Sequence, residues 1–171
     1  MRSQLLLFPV AIVAAQPAAA ATLMSVEQSQ ALMFPGAALT QNFVKMTEDQ
    51  YLAIEDKSGI KFWNHDIKAW KVSTGGWFLI DRVLARDDFI TYALALDKDG
   101  NIAGVEILDC MPHYNLAVPA WLKQFHGQRH DSPALVEDIK VLSGATLSSK
   151  AVREGVKRLM ATYEIVLAPL S

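Results

Sequence analysis

Two apolar runs joined by a short polar turn fix the centre of this chain. Residues 89–96 and 102–108 have the β-branched, aromatic and aliphatic texture of strands, and Asp97-Lys98-Asp99-Gly100-Asn101 between them is a strong turn signal. The pair is predicted to be an antiparallel hairpin, with a further strand over residues 76–83. Upstream, Ser25-Val26-Glu27-Gln28 reads as a capping box opening a short helix that stops before Pro35-Gly36. Thr47-Glu48-Asp49-Gln50 repeats that signature and opens a second helix carrying Tyr51, Leu52 and Ile54, ending at Ser58-Gly59. Downstream, residues 119–125 read as a short helix stopped by Gly127, with Trp121, Leu122 and Phe125 buried. A closing amphipathic helix packs Val152, Val156, Leu159, Met160 and Tyr163 on one stripe and leaves Arg153, Lys157 and Arg158 off it. Helices first, strands in the middle and a helix last imply an α+β domain with an antiparallel sheet packed with helices, rather than repeated βαβ units.

The N-terminus is a separate matter. Arg2 precedes an apolar run over residues 5–15, then Gln16-Pro17 and four alanines, the parts of a secretory signal peptide. Cleavage is expected near Ala20 or Ala21. The run is short of the roughly 20 apolar residues that a membrane span needs, and an uncleaved N-terminal anchor is the other outcome. The expected organisation is a signal peptide over 1–21, a helical lead-in over 22–74 and one domain over 75–171. The mature protein is expected in the periplasm or exported, in solution or associated with the inner membrane. The formal charge of −2 comes with no basic stripe, so nucleic acid is not an expected partner. Cys110 is the single cysteine, so no internal disulfide framework accompanies export.

The clearest functional signal is Ser143-Gly144-Ala145-Thr146-Leu147-Ser148-Ser149, a small, hydroxyl-rich turn leading straight into the closing helix. Helix starts leave backbone N–H groups without partners and carry the positive end of the macrodipole, which favours an anionic group. Gly144 and Ala145 keep the approach open. Ser143, Ser148 and Ser149 offer hydroxyl donors to phosphate oxygens, and Lys150 or Arg153 offsets part of the charge. A plainer reading makes Ser148 or Ser149 an N-cap and Thr146 an ordinary turn residue.

This turn resembles the attachment motif of the FMN-binding domain family, which includes the flavin-carrying C and G subunits of sodium-pumping and related quinone-dependent redox complexes and many small exported proteins. The similarity runs on through Gly76-Trp77 to Arg86, residues 89–94, residues 105–108, Trp121 to Gly127 and Gly155-Val156-Lys157-Arg158-Leu159. After the strand near Leu108, relatives often have an acidic residue and a threonine where this chain has Pro112 and His113. In that family the last threonine of a Ser/Thr-Gly-Ala-Thr sequence is esterified to the phosphate of FMN by a separate flavin transferase. The resemblance therefore implies FMN held covalently at Thr146, with Ser143, Gly144, Ala145, Leu147, Ser148 and Ser149 around it. It also implies an FAD:protein FMN transferase and membrane or periplasmic redox proteins as partners. The expected role is an electron-transfer module or subunit of a redox system rather than a stand-alone enzyme, and no catalytic residue is assigned. Asp138, just upstream, falls where relatives often have an acidic residue, which implies a part in presenting the threonine to the transferase or in binding the transferase's metal-nucleotide substrate.

A competing constellation is Cys110, His113, His126 and His130, with C-x2-H-x12-H-x3-H spacing close to a zinc-finger arrangement. It supports an alternative function as a non-redox metal-binding or assembly protein, although Gly127 interrupts the helix that would pair His126 with His130. Trp63, Trp70, Trp77 and Trp121 could each lie against an isoalloxazine ring, but each is expected in the core, where buried aromatics usually serve. Asp81, Asp109 and Asp138 read as turn or surface groups, and Thr74-Gly75-Gly76 as a turn leading into a strand. No G-x-S-x-G elbow, H-E-x-x-H or phosphate loop occurs.

Overall fold

A computed structural model describes residues 21–129, 131–132 and 138–170. The expected signal peptide, apart from Ala21, lies outside the described residues, as does His130. Strand β1 (Ala21–Thr22), helix α1 (Val26–Met33), the short strands β2 (Leu39–Gln41) and β3 (Val44–Lys45), and helix α2 (Glu48–Ser58) come first. Strands β4 (Asp66–Val72), β5 (Trp77–Ala85), β6 (Asp88–Leu96) and β7 (Ile102–Cys110) follow, then the short helix α3 (Pro119–Leu122) and the long helix α4 (Thr146–Thr162).

The predicted hairpin is present, and β5 extends it into a meander. Trp77 pairs with Leu96 and Ala85 with Asp88, while β6 and β7 pair from Thr91–Asp109 to Leu96–Ile102. Two irregularities in the second ladder leave Leu108 and Ala103 of β7 unopposed, and each resets the alternation of side chains. Among the described residues every pairing is antiparallel, and the main path through the sheet runs β1-β7-β6-β5-β4-β2, with β3 added to β4. The fold is α+β, as the order of elements implies.

Alternation along the strands gives the sheet two unequal faces. Leu79, Tyr92, Leu94, Val105 and Ile107 belong to the larger core, where Ile54 of α2 and Val152, Val156, Leu159 and Met160 of α4 pack against them. Phe78, Ala93 and Leu108 form a smaller cluster on the opposite face, against Val26 and Met33 of α1. Both N-terminal helices carry the expected reciprocal caps, Ser25 with Gln28 and Thr47 with Gln50, and α2 ends at a left-handed Gly59.

Residues 22–74, expected to be helical, also contain strands. β4 is the longest, and it joins the main sheet by pairing Lys68 to Lys71 with Ile80 to Trp77. Its signal is the alternation in Asp66-Ile67-Lys68-Ala69, which buries Ile67 and Ala69. Trp77 and Trp121 are buried as expected, and Trp70 is half-buried. Trp63 is the exception: it sits between α2 and β4 with 83% of its surface exposed. Among the described residues, no helix is long and apolar enough to cross a membrane.

Candidate cofactor site at the start of the closing helix

Helix α4 begins at Thr146, with Ala145 at the capping position, no side chain closing the first turn and no acidic residue in it. The amides of that turn therefore lack intrahelical acceptors and present the positive end of the helix dipole. Gly144 has a φ of +82°, which a residue with a side chain rarely adopts, and a Cβ built there meets nothing within 4 Å. Ser143, Gly144, Thr146 and Leu147 are exposed, and Ala145 is half-buried. The Thr146 hydroxyl makes one long contact, 3.5 Å to the carbonyl of Leu142.

Support for this open turn comes from behind. The buried Ser149 hydroxyl donates to the carbonyl of Ala145 at 2.8 Å and accepts from the amide of Leu142 at 3.0 Å, so it ties the two sides of the turn together. Ser148 is buried beside it. The chain leading in is clamped at successive residues: Trp121 Nε1 donates to the carbonyl of Lys140 at 2.8 Å, Lys140 N donates to Gln124 Oε1 at 3.0 Å, and Arg153 donates to the carbonyl of Ile139 at 3.1 Å. The predicted site residues thus divide into an outward set, Ser143, Gly144, Thr146 and Leu147, and an inward set, Ser148 and Ser149, with Ala145 between. Lys150 is exposed and faces Glu154 at 3.7 Å, and Asp138 is exposed upstream of the clamp. An open glycine turn, uncapped amides, an accessible hydroxyl and no nearby first-turn carboxylate fit a cofactor held by its phosphate.

The middle of α4 is built differently. Gly155 lies so close to the sheet that a Cβ there would come within 2.5 Å of the Tyr92 hydroxyl and 2.6 Å of Val83 Cγ1. Arg158, expected on the water face, is 8% exposed and ion-paired with Asp81, which also accepts a hydrogen bond from Tyr92 at 2.8 Å. The guanidinium also lies over the Phe62 ring, 4.7 Å from its centroid. Burial pulls Arg158 down to about 10, so it remains charged at neutral pH opposite Asp81. Burial raises the Tyr92 phenol well above its ordinary value, so it donates to Asp81 as the neutral hydroxyl. Asp81 is therefore neither a turn nor a surface group. Its place in the series Leu79, Asp81, Val83, all on the core-facing side of β5, is the signal that was present in the sequence. Asp109 likewise lies within β7, opposite Thr91, and is half-buried.

The Cys/His constellation does not assemble. His126 Nε2 lies 3.8 Å from the position a Cβ on Gly104 would take, near one end of β7, whereas Cys110 ends that strand. Six residues of extended chain separate those positions by roughly 20 Å. Cys110 is buried, and burial pushes its thiol up, away from the thiolate that a metal requires. His113 packs edge-on against Tyr114. Among the described residues, no group of three His, Cys, Asp or Glu side chains is placed to hold a metal ion.

A small α+β domain with a phosphate-ready helix start, clamped from behind, is the class that fold and site define. The family model for the FMN-binding domain matches residues 87–161, so the chain is similar to that family over those residues. The match takes in β6, β7, α3, the whole of the Ser143 to Ser149 turn and α4 up to Ala161. None of the curated proteins matches the chain. FMN is the cofactor that this match supports.

Proposed function

We propose that this protein is an exported electron-transfer flavoprotein that carries FMN as a phosphoester on Thr146 and relays electrons between redox partners outside the cytoplasm. The observation that carries this reading is the exposed Thr146 hydroxyl at the first position of α4, in an uncapped turn within the matched family segment. Bound FMN supplies the one- and two-electron chemistry; the chain supplies attachment and orientation. Loading by a flavin transferase from FAD balances as an exchange of phosphoesters. The bond from Thr146 Oγ1 to the FMN phosphorus forms, the pyrophosphate bond of FAD breaks, AMP leaves and the hydroxyl proton passes to a base on the transferase.

Within that scheme the amides of Thr146, Leu147 and Ser148 meet the phosphate charge, and Ser143 is positioned to donate to a phosphate oxygen. Ser149 and the clamp from Trp121, Gln124 and Arg153 hold the turn in the shape a transferase must grasp. Asp138, exposed upstream, is proposed to help present the threonine. A covalent tether suits export, because a dissociable flavin would be lost to a dilute compartment. The N-terminal leader supports the periplasmic assignment, with the protein working beside membrane or periplasmic redox proteins.

The reading is tested by co-expression with a flavin transferase, followed by a denaturing gel under ultraviolet light. A fluorescent band in the wild type that disappears in Thr146→Val is expected. A dark wild-type band in the presence of active transferase contradicts it.

A further inference from the structure

The face of the sheet turned away from α4 is only partly covered. Alternation places Phe78, Ile80, Arg82 and Leu84 of β5 on that face. The register sets Trp70 opposite Phe78, Lys68 opposite Ile80 and Phe89 opposite Leu84. Helix α1 lies over β6 and β7 and closes the face around Phe78, Ala93 and Leu108. Beyond that helix the face is open among the described residues. Leu84 and Phe89 keep 48% and 42% of their surface exposed, and Phe43, edge-on to Trp70 at 5.0 Å, keeps 48%.

The charges on the open area do not balance. Lys45 lies opposite Asp66 across the β3–β4 ladder and Arg86 faces Asp87 at 3.6 Å, so each of these cations has a carboxylate neighbour. Lys68 and Arg82 are exposed and, among the described residues, neither is in an ion pair. The Arg82 guanidinium lies over the Phe89 ring, 4.1 Å from its centroid, so its charge is held against apolar surface. Asp109, half-buried opposite Thr91, is one strand further away. Past Ile80 the β4–β5 ladder ends and an open cavity of about 820 Å³ begins. Its lining includes Lys68, Arg82, Leu84 and Phe89 from this face, with Lys61 and the protruding Trp63 from the segment that leads into β4.

We infer that this open face docks on an anionic phospholipid membrane, with Phe43, Trp63, Leu84 and Phe89 entering the headgroup region and Lys68 and Arg82 meeting lipid phosphates. Aromatic rings flanked by cations whose stems run along apolar surface suit the boundary between water and acyl chains. A second copy is the poorer occupant, because apposing two such faces brings Lys68 and Arg82 against like charges. An acidic protein satisfies the cations but must also match the apolar side chains with apolar surface that soluble proteins rarely expose. A membrane supplies both. Helix α4 and the exposed turn at Thr146 lie on the other side of the sheet, so a protein docked in this way keeps that turn open to solvent. Docking of this kind needs no flavin, so it stands or falls separately from the ester.

The full chain, purified without flavin, is sedimented with vesicles of phosphatidylglycerol and phosphatidylethanolamine and, in parallel, with vesicles of phosphatidylcholine. Binding to the anionic vesicles is expected, weakening in high salt, with a blue shift of tryptophan emission that is lost in Trp63→Phe. Lys68→Gln and Arg82→Gln are each expected to lower the partition about five-fold. Leu84→Ser lowers it as well, and urea unfolding checks that each variant is folded. A folded wild type that stays in solution with anionic vesicles overturns the membrane assignment. So does a partition unchanged in the double variant Lys68→Gln/Arg82→Gln, the result that association through the N-terminal apolar run produces. A wild type that ignores vesicles but binds polyglutamate through Lys68 and Arg82 overturns it in favour of an acidic protein. A dimer that Leu84→Ser dissociates, without vesicle binding, overturns it in favour of a second copy.

Discussion

The first turn of α4 and its middle belong to one helix but are built to opposite specifications. At Thr146 the backbone is exposed, uncapped and bordered by a glycine with open space around it. Nine residues later Gly155 is pressed against Tyr92 and Val83, and Arg158 is buried in an ion pair. The contrast shows how an exposed turn can be kept in a fixed place. On the proposed function the Thr146 hydroxyl enters the active site of a transferase, so it is not held by contacts of its own. Its position is set by the helix behind it and by the clamp on residues 139–142.

That division predicts a gradient of consequences along α4. The largest stability loss is expected from Asp81→Ala, which leaves the Arg158 guanidinium buried without its carboxylate and should cost about 3 kcal/mol in urea unfolding. If the variant unfolds with the wild type, the ion pair does not anchor the middle of the helix. Gly155→Ala comes next: the added methyl group meets Tyr92 and Val83, and a loss of about 1–3 kcal/mol is expected. A neutral result would show that α4 shifts freely over the sheet. Ser149→Ala, at the boundary of the two regions, removes the tie between Leu142 and Ala145 and should cost about 1 kcal/mol. The same variant should accept flavin more slowly in a timed transferase reaction, an effect that a purely structural serine would not produce. At the exposed end, Thr146→Val should change stability by less than about 0.5 kcal/mol while abolishing loading.

The two regions also differed in how far the sequence disclosed them. The open turn was legible because its properties are local: small residues, hydroxyls and a helix start lie within seven consecutive positions, Ser143 to Ser149. The hairpin was legible for the same reason, with its turn residues between two apolar runs. The support was not. Arg158 looked solvent-facing by helical period alone, because the period places it beside the packing stripe and does not reveal that Asp81, far away in the chain, waits on β5. The Trp121, Gln124 and Arg153 bonds to residues 139 and 140 join segments with no shared pattern. The Cys/His spacing misled for the complementary reason. Spacing along the chain does not convert to distance once β7 holds Gly104 and Cys110 at opposite ends of an extended strand. Trp63 reads as core by residue type, and only the fold shows it largely exposed on the wall of a cavity.

The proposed function turns on whether the exposed hydroxyl of Thr146 carries the flavin. Intact mass spectrometry of the mature chain, purified after co-expression with an active flavin transferase, decides this. A mass increase equal to one FMN less one water is expected in the wild type, located by fragmentation to the peptide containing Thr146, with no increase in Thr146→Val. A wild-type mass equal to that of the unmodified polypeptide, or an FMN adduct that persists in Thr146→Val, contradicts it.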